Sequence, residues 1–351
     1  MENIIGDMWQ EYDLSGLAGQ IERLFPESGF SLQELLERII TGDILGAISL
    51  LWQGSIGGIG QQLAGMKQIF MTLIVVGIFA ALISHFIEVF ENHQIADMSF
   101  YFTYLLMNTI LIRCFQEIVV IGKEAMDEIV SFIQIFIPTY LVTVGVAAGP
   151  TTAYANYSIL LVLIYVVEKM LIHIAVPLIY GYVFVAMLNG VWWDEKLNLL
   201  SALIEKGIAL LFKIILGMVS GVSLVQNMIT PVIDSVKNTG LQKAISAIPG
   251  IGNAAEGVVE VVLGSAVVIK NSLGILGLLV LLSICVTPLI QIFLISCVIK
   301  IAAALLGMIA DKRITTLTDR IGNGGMLILK TTGTAMLLFG ITISVAAFAF
   351  K

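Results

Sequence analysis

The stretch Asn271–Ala310, NSLGILGLLVLLSICVTPLIQIFLISCVIKIAAALLGMIA, runs for about forty apolar residues with Lys300 as its one charged side chain and Pro288 near its middle. About 20 apolar residues already cross the ~30 Å hydrocarbon core of a bilayer. At 1.5 Å per residue this stretch is about 60 Å long, so it either breaks at Pro288 or projects beyond the membrane. A polar loop, Asp311–Arg320, leads from it to a last span, Gly324–Phe350.

Upstream the pattern repeats. A stretch from Tyr157 to Trp192 is apolar but for Glu168, Lys169 and His173, and carries Pro177. Further spans read as Ile69–Ile87, Ser99–Ile121, Ile129–Ala148 and Gly207–Gln226, and the Gly-punctuated Asn227–Asn271 suits a re-entrant or surface segment. Composition agrees with this class. Hydrophobic residues make up 58% of the 351 and charged ones 12%, too few to coat a soluble domain of this size. The expected fold is therefore all-α, a polytopic integral membrane bundle of about seven spans with proline-broken helices. Lys and Arg near Arg113–Lys123, Lys196–Lys206 and Lys312–Arg320 would then face the cytoplasm, with the N-terminus inside.

Residues 1–60 differ from the spans at 61–351. Ser31-Leu-Gln-Glu34 is a capping box, and Leu32, Leu35, Leu36 and Ile39 recur at helical spacing behind it. A shorter amphipathic piece lies at Leu17–Leu24, and Gly54, Gly57, Gly58 and Gly60 form a join. These helices read as interfacial or partner-binding. Met1–Asp13 carries Glu2, Asp7, Glu11 and Asp13, the reverse of a basic signal-peptide n-region.

An internal duplication, over 129–226 and 243–350, is raised by one spacing. Ile137-Pro138 precedes Pro177-Leu-Ile by the interval that separates Ile248-Pro249 from Pro288-Leu-Ile.

Functional classes narrow quickly. A net charge of -7 with no basic stripe excludes nucleic acid as a partner. Cys114, Cys285 and Cys297 sit in apolar runs without pairing or CxxC spacing and read as small buried hydrophobes. His85, His93 and His173 are scattered, no hydrolytic motif is present, and no metal, cofactor or catalytic role is assigned. Ionisable residues inside apolar segments are the candidates for function. Glu168, Lys169 and His173 beside Pro177 form one candidate polar centre. Arg113 and Glu117, four residues apart on one helix face, read either as a local pair or as part of a polar path. Lys213 and Lys330 snorkel by default, and Gly145-xxx-Gly149, Gly217-xxx-Gly221 and Ala303-xxx-Gly307 offer close helix contacts.

The string Lys270-Asn-Ser-Leu-Gly-Ile-Leu-Gly277, followed by Lys300-Ile-Ala-Ala-Ala304, a polar loop and one last span, resembles the stage III sporulation protein AE family of endospore-forming Firmicutes. The resemblance implies a permease-like, non-enzymatic component of the channel-like complex that links mother cell and forespore. It places the chain in the mother-cell membrane around the forespore. Its implied partners are the other stage III A-operon proteins, a forespore membrane protein, membrane lipid and further copies of itself. The chain departs from the family in one respect, since members often begin with a signal-like apolar segment that Met1–Asp13 does not resemble. From the residues alone, an autonomous small-solute transporter and a structural scaffold remain alternatives.

Overall fold

The short helices are set by their own ends. In this computed structural model, which describes residues 14–25, 30–56, 59–88, 93–148, 162–191, 197–245 and 252–348, they are α1 (Ser15–Leu24), α2 (Leu32–Ile40) and α3 (Ile44–Ile56). Ser31 Oγ accepts the Glu34 amide at 3.2 Å and starts α2. Gly42, at φ +83°, ends it. The Asp43 and Gly42 amides turn back to the Arg38 and Ile39 carbonyls at 2.8 and 3.1 Å, a Schellman closure that needs a left-handed residue at that point. Asp43 Oδ1 then accepts the Gly46 amide at 2.9 Å and starts α3. Leu32, Leu35, Leu36 and Ile39 are all buried. Within the chain, α1 packs on α5, and α2 and α3 on α8 (defined below).

The long elements are α4 (Ile59–Glu88), α5 (His93–Ala148), α6 (Val162–Asn189), α7 (Asn198–Ile245), α8 (Gly252–Leu306) and α9 (Lys312–Phe348). Their contacts define their directions. A Cβ on Gly277 would run into Phe136, and one on Gly122 would approach Ile292, so α5 and α8 are antiparallel. Lys300 meets Asn323 and Leu281 lies by Gly340, so α8 and α9 are antiparallel over nineteen residues of α8, about 28 Å. Tyr104 bonds the Met187 carbonyl at 2.7 Å and Phe115 stacks edge-on against Tyr180, which sets α6 antiparallel to α5. The Asn189–Asn198 bond closes a tight α6–α7 hairpin. Helices α5 to α9 thus run alternately up and down, with α5, α8 and α9 as the core, α4 against α5 and α8, and α6 and α7 against α9.

Close approach depends on residues without side chains. A Cβ on Gly324 would meet Val183 of α6 and Phe115 of α5, and one on Gly325 would meet Ser296 of α8 and Ile118 of α5. One turn of α9 therefore touches three helices at once. Gly217 and Gly221, singled out by their spacing, have open space around them, and Gly149 lies outside the described residues.

Several expectations need correction. Among the residues described with their side chains four helices are long and apolar enough to span, Met98–Thr143, Val162–Asn189, Val267–Leu306 and Lys312–Ser344, and the expected spans Ile69–Ile87 and Gly207–Gln226 fall partly outside them. A shorter apolar helix covers Lys67–Phe79. Ser99–Ile121 and Ile129–Ala148 are one helix, because the charges between them lie on one face while Ala125, Met126 and Ile129 stay buried on another. Asp311–Arg320 is not a loop. Asp311 Oδ1 caps the Arg313 amide at 2.7 Å, and Ile314, Leu317 and Ile321 carry the buried stripe of α9 from its start. The prolines do not end their helices. Pro288 and Pro138 lie within uninterrupted helix, and the chain before Pro177 widens into a π turn at Leu171–Ala175. Proline removes one backbone donor, and a helix held by neighbours on both sides absorbs that loss locally. Gly149-Pro150, Ile248-Pro249 and Trp192-Trp193 lie outside the described residues. Helices α6 and α8 run the same way, as a direct repeat would require. Any up-and-down bundle does the same, so direction alone does not single out a repeat.

Two outcomes follow. Gly325→Val should cost roughly 1–3 kcal/mol by overpacking, while Gly217→Val should shift the melting midpoint in detergent far less; equal shifts would refute the triple contact. Helix α6 is long and apolar enough to cross the membrane. Single cysteines at Val162 and Val191, exposed at its two ends, in a background without Cys114, Cys285 and Cys297, should react with an impermeant maleimide from opposite faces of the membrane.

Candidate functional site

Helices α5 and α8 pack tightly on the side that faces α9 and part on the other. Between them opens a cleft of about 880 Å³. On α5 it is lined by Glu117, Glu124 and Glu128, which recur at spacings of seven and four and so share one helix face. On α8 it is lined by Ser283, Thr287 and Gln291, again one face at four-residue steps, with Pro288 among them. Pro288 has no N–H to give the Ile284 carbonyl, and Ile284 also lines the cleft. Leu24 and Phe25 from the end of α1, and Gly65 and Ile69 from α4, complete the walls.

The cleft combines three carboxylates, two hydroxyls, one amide and a backbone free of one donor within apolar helices. Ionisable groups there are expensive unless they meet water, a partner or a passing solute. Beyond Glu128, α5 turns apolar and aromatic. Phe132, Phe136 and Tyr140 stack in sequence, centroids 5.4 and 5.5 Å apart, and all three are buried. Polar lining thus gives way to a dry section one turn further along α5.

A second polar cluster ties α6, α7, α8 and α9. Lys300 Nζ donates to Asp319 Oδ1 at 2.9 Å and to Asn323 Oδ1 at 2.7 Å, and Asn323 Nδ2 donates to Asp319 Oδ2 at 3.1 Å, closing a ring. Arg320 donates to Asn198 Oδ1, which also accepts Asn189 Nδ2 at 2.9 Å. Asn189 Oδ1 accepts the Leu197 amide at 2.8 Å. A Cβ on Gly322 would strike the Lys300 stem, so the ring also needs a glycine on α9. Nearby, Arg313 stacks on Phe100 at 3.4 Å from the ring centroid and pairs with Asp311 at 3.3 Å. This cluster is built to hold helices together, with each charge shared among neighbours.

The residues singled out by sequence fall in different places. Glu117 lines the cleft, while Arg113, also exposed on α5, makes no ion pair with it. Glu168 and Lys169 are half-buried on α6, and Lys169 Nζ lies over the Tyr165 ring at 5.6 Å. His173 is exposed within the π turn, and no hydrogen bond or ion pair joins it to Glu168 or Lys169. Lys213 and Lys330 are exposed. Sequence reading passed over Glu124, Glu128 and Gln291; the signal that could have found them is the spacing of Glu117, Glu124 and Glu128. Among the described residues no group of three or more His, Cys, Asp or Glu side chains could hold a metal.

Fold and cleft define a class: a polytopic helical membrane protein with an acidic cleft between two of its longest helices. The comparisons carry this further. The chain belongs to the Stage III sporulation protein AE family, whose profile matches residues 30–349. It is similar to Stage III sporulation protein AE of Bacillus subtilis (strain 168), 23% identical over 279 residues that cover 78% of this chain and 69% of the relative. No solved structure matches it.

An acidic, wet cleft concentrates cations about tenfold or more. Gln291→Cys in the cysteine-free background should react with a cationic methanethiosulfonate about ten times faster than with an anionic one. Glu124→Gln with Glu128→Gln should abolish that preference. No reaction with either reagent would show that the cleft is closed to water.

Proposed function

We propose that this protein is a membrane component of the channel-like, secretion- or feeding-type complex that links mother cell and forespore during endospore formation. It would sit in the mother-cell membrane around the forespore and work with the other stage III A-operon proteins and a forespore membrane partner. Membership of the sporulation family supports the setting. The observation that supports a permease-like role is the cleft of about 880 Å³ lined by Glu117, Glu124, Glu128, Ser283, Thr287 and Gln291. Three carboxylates gathered on one face of α5 beside hydroxyl and amide groups of α8 favour a surface that meets polar solutes over one that only joins subunits. The role proposed is non-enzymatic, in keeping with a family of sporulation proteins.

A second reading, an autonomous small-solute transporter, draws on the same cleft, whose volume lies in the range of about 300–1,000 Å³ typical of small-molecule sites. The two readings part in the cell. Deletion of the gene in its native spore-former should arrest forespores after engulfment, and the wild-type chain should restore them. Glu124→Gln with Glu128→Gln should accumulate in the membrane at normal level yet fail to restore spores. Normal sporulation after deletion would overturn the complex reading and leave the transporter.

A further inference from the structure

We infer that α3 docks on the lipid surface: its outward face, Leu45, Ile48 and Trp52, lies among the headgroups and upper acyl chains of the leaflet at which α4 enters the membrane.

Helix α3 is apolar on two faces, and the bundle uses one of them. Ala47 and Leu51 are fully buried and Leu50 packs against the same core, while Leu45, Ile48 and Trp52 are 81%, 41% and 47% exposed. Steps of three and four place these three residues on one side of the helix. Ser49, exposed beside them, donates its hydroxyl to the Gly46 carbonyl at 2.8 Å, so it asks for no outside partner.

The chain on either side fixes where that face stands. Helix α2, just before it, turns Gln33 and Glu37 outward with Glu34 and Arg38 half-buried, and so needs water. Helix α4 begins at Ile59, three residues after α3 ends. It exposes Lys67 and Gln68, and then Met71, Val75, Ile78, Phe79 and Leu82, with the Thr72 hydroxyl donating to the Gln68 carbonyl at 2.8 Å. The change from Lys67 and Gln68 to an apolar face marks the level at which α4 passes from headgroups to acyl chains. Ile59 lies about 12 Å before Lys67 along the helix. The C-terminal end of α3, nearest Trp52, is therefore tied to the membrane border, and headgroup depth is where tryptophan concentrates in membrane proteins.

Charge favours lipid over a protein partner. Arg38 is paired with Glu34 at 3.2 Å and with Asp43 at 3.4 Å, and the outward side of α3 from Ile44 to Trp52 carries no charge. That face offers no charged group by which a protein partner would be oriented, whereas a bilayer asks only for apolar area. Weak docking suffices, since α4 already holds α3 beside the membrane at high effective concentration.

The test uses the full-length protein in phosphatidylcholine liposomes with Trp52 as its one tryptophan, Trp9, Trp192 and Trp193 being changed to Phe. Phosphatidylcholine brominated near the headgroup end of its acyl chains should cut Trp52 emission by about half, and iodide on both sides of the membrane should quench it about threefold less than free tryptophan. A second measurement does not depend on those substitutions. A nitroxide on Leu45→Cys, in the background without native cysteines, should meet oxygen more readily than a water-soluble nickel chelate, and one on Glu37→Cys should show the reverse. Protection of Trp52 from bromolipid and iodide alike would mean that protein covers the face. Iodide quenching without bromolipid quenching, or a Leu45 label that prefers the nickel chelate, would mean that water does. Each of these results overturns the docking.

Discussion

One turn of α9 holds the bundle together. Gly324 and Gly325 bring its backbone against Val183, Phe115, Ile118 and Ser296, which belong to three different helices. In lipid, exclusion of water does not press helices together, so close van der Waals packing and interhelical hydrogen bonds must do so. The glycines supply the first. Just before them, Asp319, Arg320 and Asn323 supply the second through Lys300 and Asn198. Each depends on the other: a larger residue at 322 would push the Lys300 stem away, and a displaced Lys300 would leave Asp319 and Asn323 to find other partners.

With α9 drawn in on one side, α5 and α8 meet tightly there through Gly122, Ile292 and Ser296. Glu117, Glu124 and Glu128 project from the opposite side of α5, where α8 presents Pro288 and three polar side chains. The contrast between the two polar clusters separates structure from function. Around Lys300, charges meet charges and amides within 2.7 to 3.1 Å. In the cleft, three exposed acids share a wall with hydroxyls and apolar side chains. The first arrangement ties four helices to one another, whereas the acids of the second face open space.

Much of this was legible in the sequence, for local reasons. The capping box at Ser31 and the spacing of Leu32, Leu35, Leu36 and Ile39 are signals within one turn or two, and the structure realises them. The membrane class followed from composition. What failed were judgements that depend on neighbours. Lys123, Glu124, Asp127 and Glu128 resembled a break between spans, yet they occupy one side of a helix whose other side carries Ala125, Met126 and Ile129 into the core. Pro288 resembled a stop, but flanking contacts carry the helix through it. Lys300 stood out as a lone charge because Asp319 and Asn323, its partners, lie nineteen and twenty-three residues away, in and just beyond what read as a loop. The useful glycines were missed for the same reason: Gly217-xxx-Gly221 satisfies a pattern, while Gly322, Gly324 and Gly325 satisfy three neighbours.

The surface shows two environments meeting near the cleft. Met98, Phe102 and Leu105 of α5, Met71, Val75, Phe79 and Leu82 of α4, and Phe293, Ile301 and Leu305 of α8 are exposed. A soluble protein rarely carries apolar surface of that extent, and lipid accounts for it. Further along α5, past Glu128, α1 is laid on the bundle with its polar face outward, and α2 and α3 pack on α8 with Glu34, Glu37 and Arg38 outside. Helices that turn carboxylates and a guanidinium outward need water, so α1 and α2 stand in or next to an aqueous phase, while α3 turns Leu45, Ile48 and Trp52 outward. The cleft lies where the bare flank gives way to the clad one, with α4 as one wall and the end of α1 as another. Beyond Glu128 the same helix carries the buried Phe132–Phe136–Tyr140 stack, so α5 passes from an acidic, exposed face to a dry, packed one. Exposed carboxylates keep their hydration on the first, whereas the packed aromatic section leaves no room for water, so two neighbouring sections of one helix stand in different surroundings.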